Sequence, residues 1–354
     1  MDKKILVKSD GTMKYISKII RMPEWYDSKV PLAFSVMLFF LIIYSQEDAA
    51  KTVLNLFLYF VFLFSYLAFN YLLNDYIDME VDRKAGKDKL ITKIPKSRVM
   101  CIMIFLLITG FLPLNIINGF DYKMAFVLII NYLFGASYHV KPLRFKERGL
   151  LGLIVSSAAQ RCTPLLVIPL LCNISIHFFI GWIMLSFLNG LRYILIHQYK
   201  DYNADLQSGV KTFAIKHRKG KILEIGVYLC FAVELITAFY LLLPLIFLYH
   251  LIVAVILLYM AAAVSAMWAI RHFIKEKVFL TFTYVPLEDF FNVIQPLLFA
   301  VLLTIITQSV WYMIVLIALL FYLLPTIKNK CALIFLPLQV KISGAKFNKG
   351  DEKH

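Results

Sequence analysis

Apolar runs of about 20 residues recur along the whole chain, the length a helix needs to cross a hydrocarbon core. No other feature restricts the fold as strongly. Ten such runs stand out, at about 30–45, 53–74, 99–118, 122–139, 149–171, 175–199, 222–243, 247–270, 290–307 and 310–327. Of the 354 residues, 61% are hydrophobic, well above the half or less of a typical soluble domain. The expected fold is an all-α, polytopic membrane helical bundle of nine to ten transmembrane helices.

The basic residues choose between nine and ten. All but four of the 37 Lys and Arg fall before the first run, after the even-numbered runs, or in the carboxyl-terminal tail. The exceptions are Lys51 and Lys123 in the opposite loops, and Arg161 and Arg192 inside runs. Positively charged loops stay cytoplasmic, so both termini are expected there, and an even count of ten satisfies this. The net charge of +15 is accounted for by this topology and by attraction to anionic lipid, without nucleic acid as a partner. A plasma-membrane location is the expectation. The five cysteines lie mainly in apolar stretches without a CxxC pair, which suits packing rather than disulfides or metal binding. Residues 1–29 lack the apolar core of a cleavable signal and read as an amphipathic cytoplasmic segment. The membrane domain then spans 30–327, as two four-helix halves at about 30–139 and 149–270 plus helices at 290–327. A basic tail, 328–354, completes the expected organisation.

Two places where a run meets a long basic loop carry related motifs. The first reads Asn74-Asp75-Tyr-Ile-Asp78-Met-Glu-Val-Asp82, with Gly86 four residues on. The second reads His197-Gln-Tyr-Lys-Asp201-Tyr-Asn-Ala-Asp205, again with glycine, Gly209, four residues on. Residues four apart share a helix face, so Asp78 stacks on Asp82 and Asp201 on Asp205. Like charges at that spacing repel. They also sit at helix C-termini, where the dipole is already negative, and near lipid, where lost hydration adds to the cost. Paired clusters of this kind call for cations. Carboxylates with an amide and no thiolate suit Mg²⁺, or Mn²⁺ in its place, better than zinc, and Mg²⁺ commonly bridges carboxylates to substrate phosphates.

At these residues the sequence resembles the UbiA superfamily of intramembrane prenyltransferases. The first motif is similar to that family's NDxxDxxxD pattern and the second to its DxxxD pattern, with Gly209, Lys211 and Thr212 as the continuation. The loop Tyr138-His-Val-Lys141-Pro142-Leu-Arg144-Phe-Lys146-Glu-Arg148-Gly149 resembles that of chlorophyll synthases and homogentisate prenyltransferases. Arg21 resembles the family's entry into its first helix. The likeness covers roughly residues 18–270. Where the family often has Arg-Pro after its first motif, this chain has Lys87-Asp88-Lys89-Leu90-Ile91.

The resemblance implies helices ringing a central cavity and transfer of a prenyl group from an isoprenyl diphosphate to a small-molecule acceptor, an aromatic one being favoured. A glycerol-phosphate or sugar-phosphate acceptor is the alternative within the family. A cation transporter is the alternative outside it, for which carboxylates near the bilayer midplane would be expected. Carried over residue by residue, Asn74, Asp75, Asp78, Asp82, Asp201 and Asp205 are the expected metal ligands. Tyr138 is placed beside the reacting group. Arg21, Lys87, Lys141, Arg144 and Lys146 are candidates for the diphosphate, and Asn70, Arg192 and His197 for substrate. Arg161 and Arg192 are costly in hydrocarbon and by default line a cavity or find a partner.

Overall fold

The computed structural model describes residues 9–44, 48–84, 90–117, 119–172, 174, 176–209, 212–218, 221–249, 252–259, 261 and 288–343. Every regular element among them is a helix, with no strand. Two units are separable, Met1–Leu241 and Leu242–His354.

The first unit opens with α1 (Ser9–Ile19), a short turn Met22–Glu24, and α2 (Val30–Ile43). Pro31 sits in the first turn of α2, where its missing N–H would be unpaired in any case. The next helix, α3 (Ala49–Lys84), has 36 residues and is about 54 Å long at 1.5 Å per residue. A hydrocarbon core is only about 30 Å thick. The excess length carries Asn74 to Asp82 toward one end of the helix, where the sequence turns from apolar to charged. Alongside α3 run α4 (Lys96–Ile117) and α5 (Tyr122–His139), the latter capped by Asp121, whose carboxylate accepts the Lys123 N–H at 2.8 Å.

After a ten-residue loop the chain enters α6 (Leu150–Ser157), which does not stay α-helical. It widens to a π turn at Ala158–Cys162, tightens to a 3-10 turn at Thr163–Val167, and ends as α7 (Ile168–Cys172). Pro164 and Pro169 lack the N–H groups a regular helix would use here, so carbonyls are released in the middle of an apolar segment. Side chains of α3 take them up: the Tyr66 hydroxyl donates to the Ala159 carbonyl at 2.7 Å, and the Tyr59 hydroxyl to that of Pro164 at 3.3 Å. Thr163 also donates to Ala159. Irregular backbone in a membrane segment survives only where protein supplies such partners. Irregular turns of this kind also concentrate at functional positions.

The second long helix, α8 (Ile176–Ser208), carries the second motif at its C-terminal end. It stops at Gly209, whose φ of +70° is favourable only without a Cβ. The short α9 (Phe213–Lys216) follows, its first turn capped by the Thr212 hydroxyl oxygen, and then α10 (Lys221–Leu248). Deep within the unit, Arg192 of α8 and Glu234 of α10 form a fully buried ion pair, with Nε to Oε2 at 2.7 Å and Nη2 to Oε1 at 3.1 Å. Asn189 donates to the same carboxylate at 2.8 Å. Removing one partner of a buried pair leaves a lone charge and costs about 3–5 kcal/mol, whereas replacing both by apolar groups is often neutral. Arg192→Ala is therefore expected to lower the melting temperature of the detergent-solubilised protein markedly, and Arg192→Met with Glu234→Leu to recover most of the loss. A double variant as unstable as the single would show that the pair does more than neutralise charge.

In the second unit, residues 252–259 are helical, a π turn covers Phe290–Ile294, and helices run over Gln295–Thr307 and Val310–Ser343.

Seven helices are long and apolar enough to cross a membrane among the described residues. They match seven of the ten expected spans. Of the other three, Val30–Ile43 is apolar but only 14 residues long, and Tyr122–His139 forms an 18-residue helix below the same hydropathy level. Most of the expected span at 247–270 lies outside the described residues. The α3, α6–α7 and α8 spans are more than half buried, whereas α4 and α10 bury a third or less. On the poorly buried helices the large apolar side chains, Phe105 and Ile236 among them, face outward, as lipid-facing surfaces do.

Candidate active site

A cavity of about 440 Å³ opens inside the first unit, lined by α3, α5, α6 with its π turn, α8 and the segment before α2. Its walls are built by regular spacing. Tyr66, Asn70 and Asn74 follow each other at four-residue intervals along α3, and His197, Asp201 and Asp205 do the same along α8. The two motifs therefore border one space although they are far apart in sequence. Small residues let the walls approach. A Cβ at Gly135 would collide with the Asn70 amide, and one at Gly190 with the Ser157 hydroxyl and with Arg161.

Around the first motif, carboxylates meet basic side chains. Lys146 Nζ donates to Asp78 Oδ2 at 2.5 Å and to Asn74 Oδ1 at 3.2 Å, and Arg144 Nη2 to Asp78 Oδ1 at 3.2 Å. Both come from the loop after α5, where Arg144 has φ +34°. His139 Nδ1 lies 2.9 Å from the same Asn74 oxygen. Asp75 is buried and receives Arg21 Nη1 at 3.2 Å. Arg21 also holds Glu24 through Nε at 2.6 Å and through Nη2. Burial works against the Arg21 charge, yet the bond to Glu24 and the carboxylates of Asp75 and Glu24 keep it above the ordinary arginine value. Burial lowers Lys146, with the Asp78 hydrogen bond and charge opposing the fall.

At the second motif, His197 Nδ1 lies 3.3 Å from Asp201 Oδ2. Both side chains are about half exposed, and Asp205 lines the cavity one turn further along.

Eight of the candidates from the sequence line the cavity: Arg21, Asn70, Asn74, Tyr138, Lys146, His197, Asp201 and Asp205. Asp75, Asp78 and Arg144 adjoin it through the bonds just described. Lys141 is exposed and outside the lining. Arg192 is also outside it, committed to Glu234. The backbone of Asp82 is helical, but its side chain, like all of Lys87, lies outside the described residues. Sequence reasoning did not single out His139, Lys29, Tyr71, Ser156, Gln160 or Tyr193, all part of the lining. The histidine sits inside the conspicuous Tyr138–Gly149 loop and was open to inference there. Lys29 looks like any topological lysine, and Gln160 like a stray amide in an apolar run.

Among the described residues, no three or more His, Cys, Asp or Glu side chains close on a single point. What the cavity offers instead is a set of hard oxygen donors, Asn74 from α3 and Asp201 and Asp205 from α8, with basic side chains among them. That donor set fits Mg²⁺, which takes few protein ligands and completes its shell with water and substrate phosphate.

The family profile described as the UbiA prenyltransferase family matches residues 32–285. The chain belongs to this family and is an integral, multi-pass membrane prenyltransferase. This decides against the cation transporter. No curated protein matches the sequence. Among solved structures, one from a study of digeranylgeranylglyceryl phosphate synthase in membranes is 19% identical, covering 82% of this chain and 98% of its own, with a TM-score of 0.53. A UbiA homologue from Archaeoglobus fulgidus bound to DMAPP and Mg²⁺ is 16% identical, covering 82% and 99%, with a TM-score of 0.55. The same homologue bound to GPP and Mg²⁺ is 17% identical, covering 80% and 99%, with a TM-score of 0.51. At these identities the likeness is one of fold.

Proposed function

We propose that this cavity transfers a prenyl group from an isoprenyl diphosphate to a small-molecule acceptor, with a divalent metal at the two aspartate motifs. The observation that carries the reading is that Asn74 of the first motif and Asp201 and Asp205 of the second line one space with Lys146. The Archaeoglobus homologue, bound to DMAPP or GPP together with Mg²⁺, supports both donor class and metal. Asn74, Asp78, Asp201 and Asp205 are the residues that would hold the metal, with Asp75 and Asp82 supporting. Mn²⁺ would serve as a substitute. When bound, the metal supplies positive charge where negative charge develops on the departing diphosphate.

The chain's own groups do the rest. Lys146 and Arg144, which donate to Asp78, would share their hydrogen bonds with phosphate oxygens. Donors fixed before reaction stabilise the leaving group without reorganisation. Tyr138, with Tyr66, Tyr71 and Tyr193 in the same lining, would stabilise an electron-poor allylic carbon wherever it meets a ring face. This wall favours an aromatic acceptor. A glycerol-phosphate or sugar-phosphate acceptor is the second reading, favoured by the basic side chains Lys29 and Arg161 in the cavity wall and by the digeranylgeranylglyceryl phosphate synthase among the structural neighbours.

Purified protein in nanodiscs, given radiolabelled isoprenyl diphosphates of two lengths and both acceptor classes, should form a labelled lipid product resolved by thin-layer chromatography. Label remaining entirely in donor and free prenyl alcohol with every acceptor would count against the transfer reading. For orientation, both termini and the 140–149 loop are expected on the cytoplasmic side of the cell membrane. Cysteines placed at Lys51 and at Lys141 should therefore label from opposite faces of sealed vesicles. Labelling from the same face would overturn the ten-span topology.

A further inference from the structure

The amide oxygen of Asn74, in the first motif, is held from two sides. Lys146 Nζ reaches Oδ1 at 3.2 Å, and His139 Nδ1 reaches the same atom at 2.9 Å. An ammonium can only donate, so Lys146 identifies that atom as the oxygen of the amide and not its nitrogen. His139 Nδ1 must then carry a proton and donate as well. An amide oxygen has two lone pairs, and these two bonds engage both.

The two donors are not equivalent. Lys146 ends a flexible stem from the loop after α5 and also donates to Asp78 Oδ2 at 2.5 Å. A metal cation taking Asn74 and Asp78 would repel that ammonium, and phosphate oxygens would draw it to themselves. His139 is the last residue of α5, and α5 lies close against α3. Residues four apart share a helix face, so Gly135 and His139 on α5 meet Asn70 and Asn74 on α3 pair by pair. At the first pair a Cβ on Gly135 would lie 2.2 Å from Asn70 Oδ1. One turn on, the imidazole spans from one helix to the other. Two packed helices fix the histidine, whereas the lysine can swing away.

We infer that His139 is a positioning residue for the metal. By donating through Nδ1 to one lone pair of Asn74 Oδ1, it keeps the other directed at the point where Lys146 Nζ stands, between Asn74 and Asp78. The Lys146 ammonium occupies that point in the metal's stead. The inference rests on the metal–diphosphate reading above and adds the group that aims one of its ligands. Partners of this kind behind a metal ligand are commonly worth 10–100-fold in metal affinity.

The test measures Mn²⁺ binding by electron paramagnetic resonance, on the full chain in nanodiscs, with and without a non-hydrolysable isoprenyl diphosphate analogue of the donor. His139→Phe keeps a ring but no donor, and should weaken Mn²⁺ about tenfold or more. In His139→Asn the amide nitrogen takes the place of Nδ1, and in His139→Gln it lies one carbon further out. His139→Asn should therefore recover most of the lost affinity, and His139→Gln should not. Turnover that His139→Phe loses at low Mg²⁺ should return as Mg²⁺ is raised, which a folding defect would not allow. A His139→Phe protein that binds Mn²⁺ as tightly as wild type overturns the inference. So do His139→Asn and His139→Gln proteins that behave alike, and this pair decides even if the phenylalanine variant fails to fold. A wild type that binds no Mn²⁺ in either condition would sink the metal reading itself.

Discussion

Asp201→Ala should lower turnover by about 10³-fold or more, as loss of one charge-stabilising group at a reacting centre commonly costs 10²–10³-fold and here a metal ligand goes with it. The same is expected of Asp78→Ala. The two positions are 123 residues apart in sequence, one on α3 and one on α8, and nothing but a shared chemical task would make them equally intolerant. Asp201 is about half exposed at the polar end of α8, so its removal should spare insertion and thermal stability. Asp78 is bonded to Lys146 and Arg144, all three side chains being less than one-fifth exposed, so its loss leaves two poorly solvated cations and should lower the melting temperature as well. Turnover by purified single variants, beside their melting temperatures, checks both points. Asp201→Ala protein that is folded and turns over like wild type would remove the metal–diphosphate reading of the second motif. A double variant no worse than either single one is the further expectation, because residues acting as one unit are strongly non-additive.

Removal of divalent metal should have an effect nearly as large. Metal and diphosphate share the space between the motifs, so each should raise the other's affinity by the same factor, about 5–150-fold for couplings of ordinary size. Chelation should weaken the donor analogue by that factor and abolish transfer, and Mg²⁺ or Mn²⁺, but not Na⁺ or K⁺, should restore both. The physical reason lies in the charges already present. Asp78 takes both Lys146 and Arg144, so these two cations would be divided between a carboxylate and an incoming diphosphate. Without additional positive charge, Asp201 and Asp205 would repel the donor. Calorimetry with the analogue in excess chelator and in Mg²⁺ measures the coupling directly. Equal affinities would mean that the aspartates are neutralised by lysine and arginine alone and hold no metal.

Much of the site was readable from residue spacing. Aspartates four apart at helix ends, twice, with basic loops beside them, pointed to Asn74, Lys146, His197, Asp201 and Asp205 of the cavity wall before any contact was known. Among the described side chains, the candidates that neither line nor adjoin the cavity are single basic residues, Lys141 and Arg192. Lys141 and Lys146 share one loop, yet only Lys146 turns toward Asp78, since direction in an irregular loop depends on its backbone angles and not on composition. Arg192 and Arg161 looked alike as charges inside apolar runs. Their difference is decided by Glu234, which reaches Arg192 from a helix 42 positions away and leaves Arg161 with an unpaired nitrogen.

The sequence by itself determined that this chain crosses a membrane many times as helices and where its carboxylates cluster. Both follow from local rules: the length of an apolar run against the thickness of lipid, and the 3.6-residue period that stacks side chains four apart. Only the tertiary structure decided which polar groups share a cavity and which neutralise one another. The π and 3-10 turns after Ser157 show why. They bring Gln160 and Arg161 to Lys29 and depend on Tyr59 and Tyr66 of α3 accepting the task of bonding freed carbonyls. That arrangement is a balance among residues about 100 positions apart, and no local pattern encodes it.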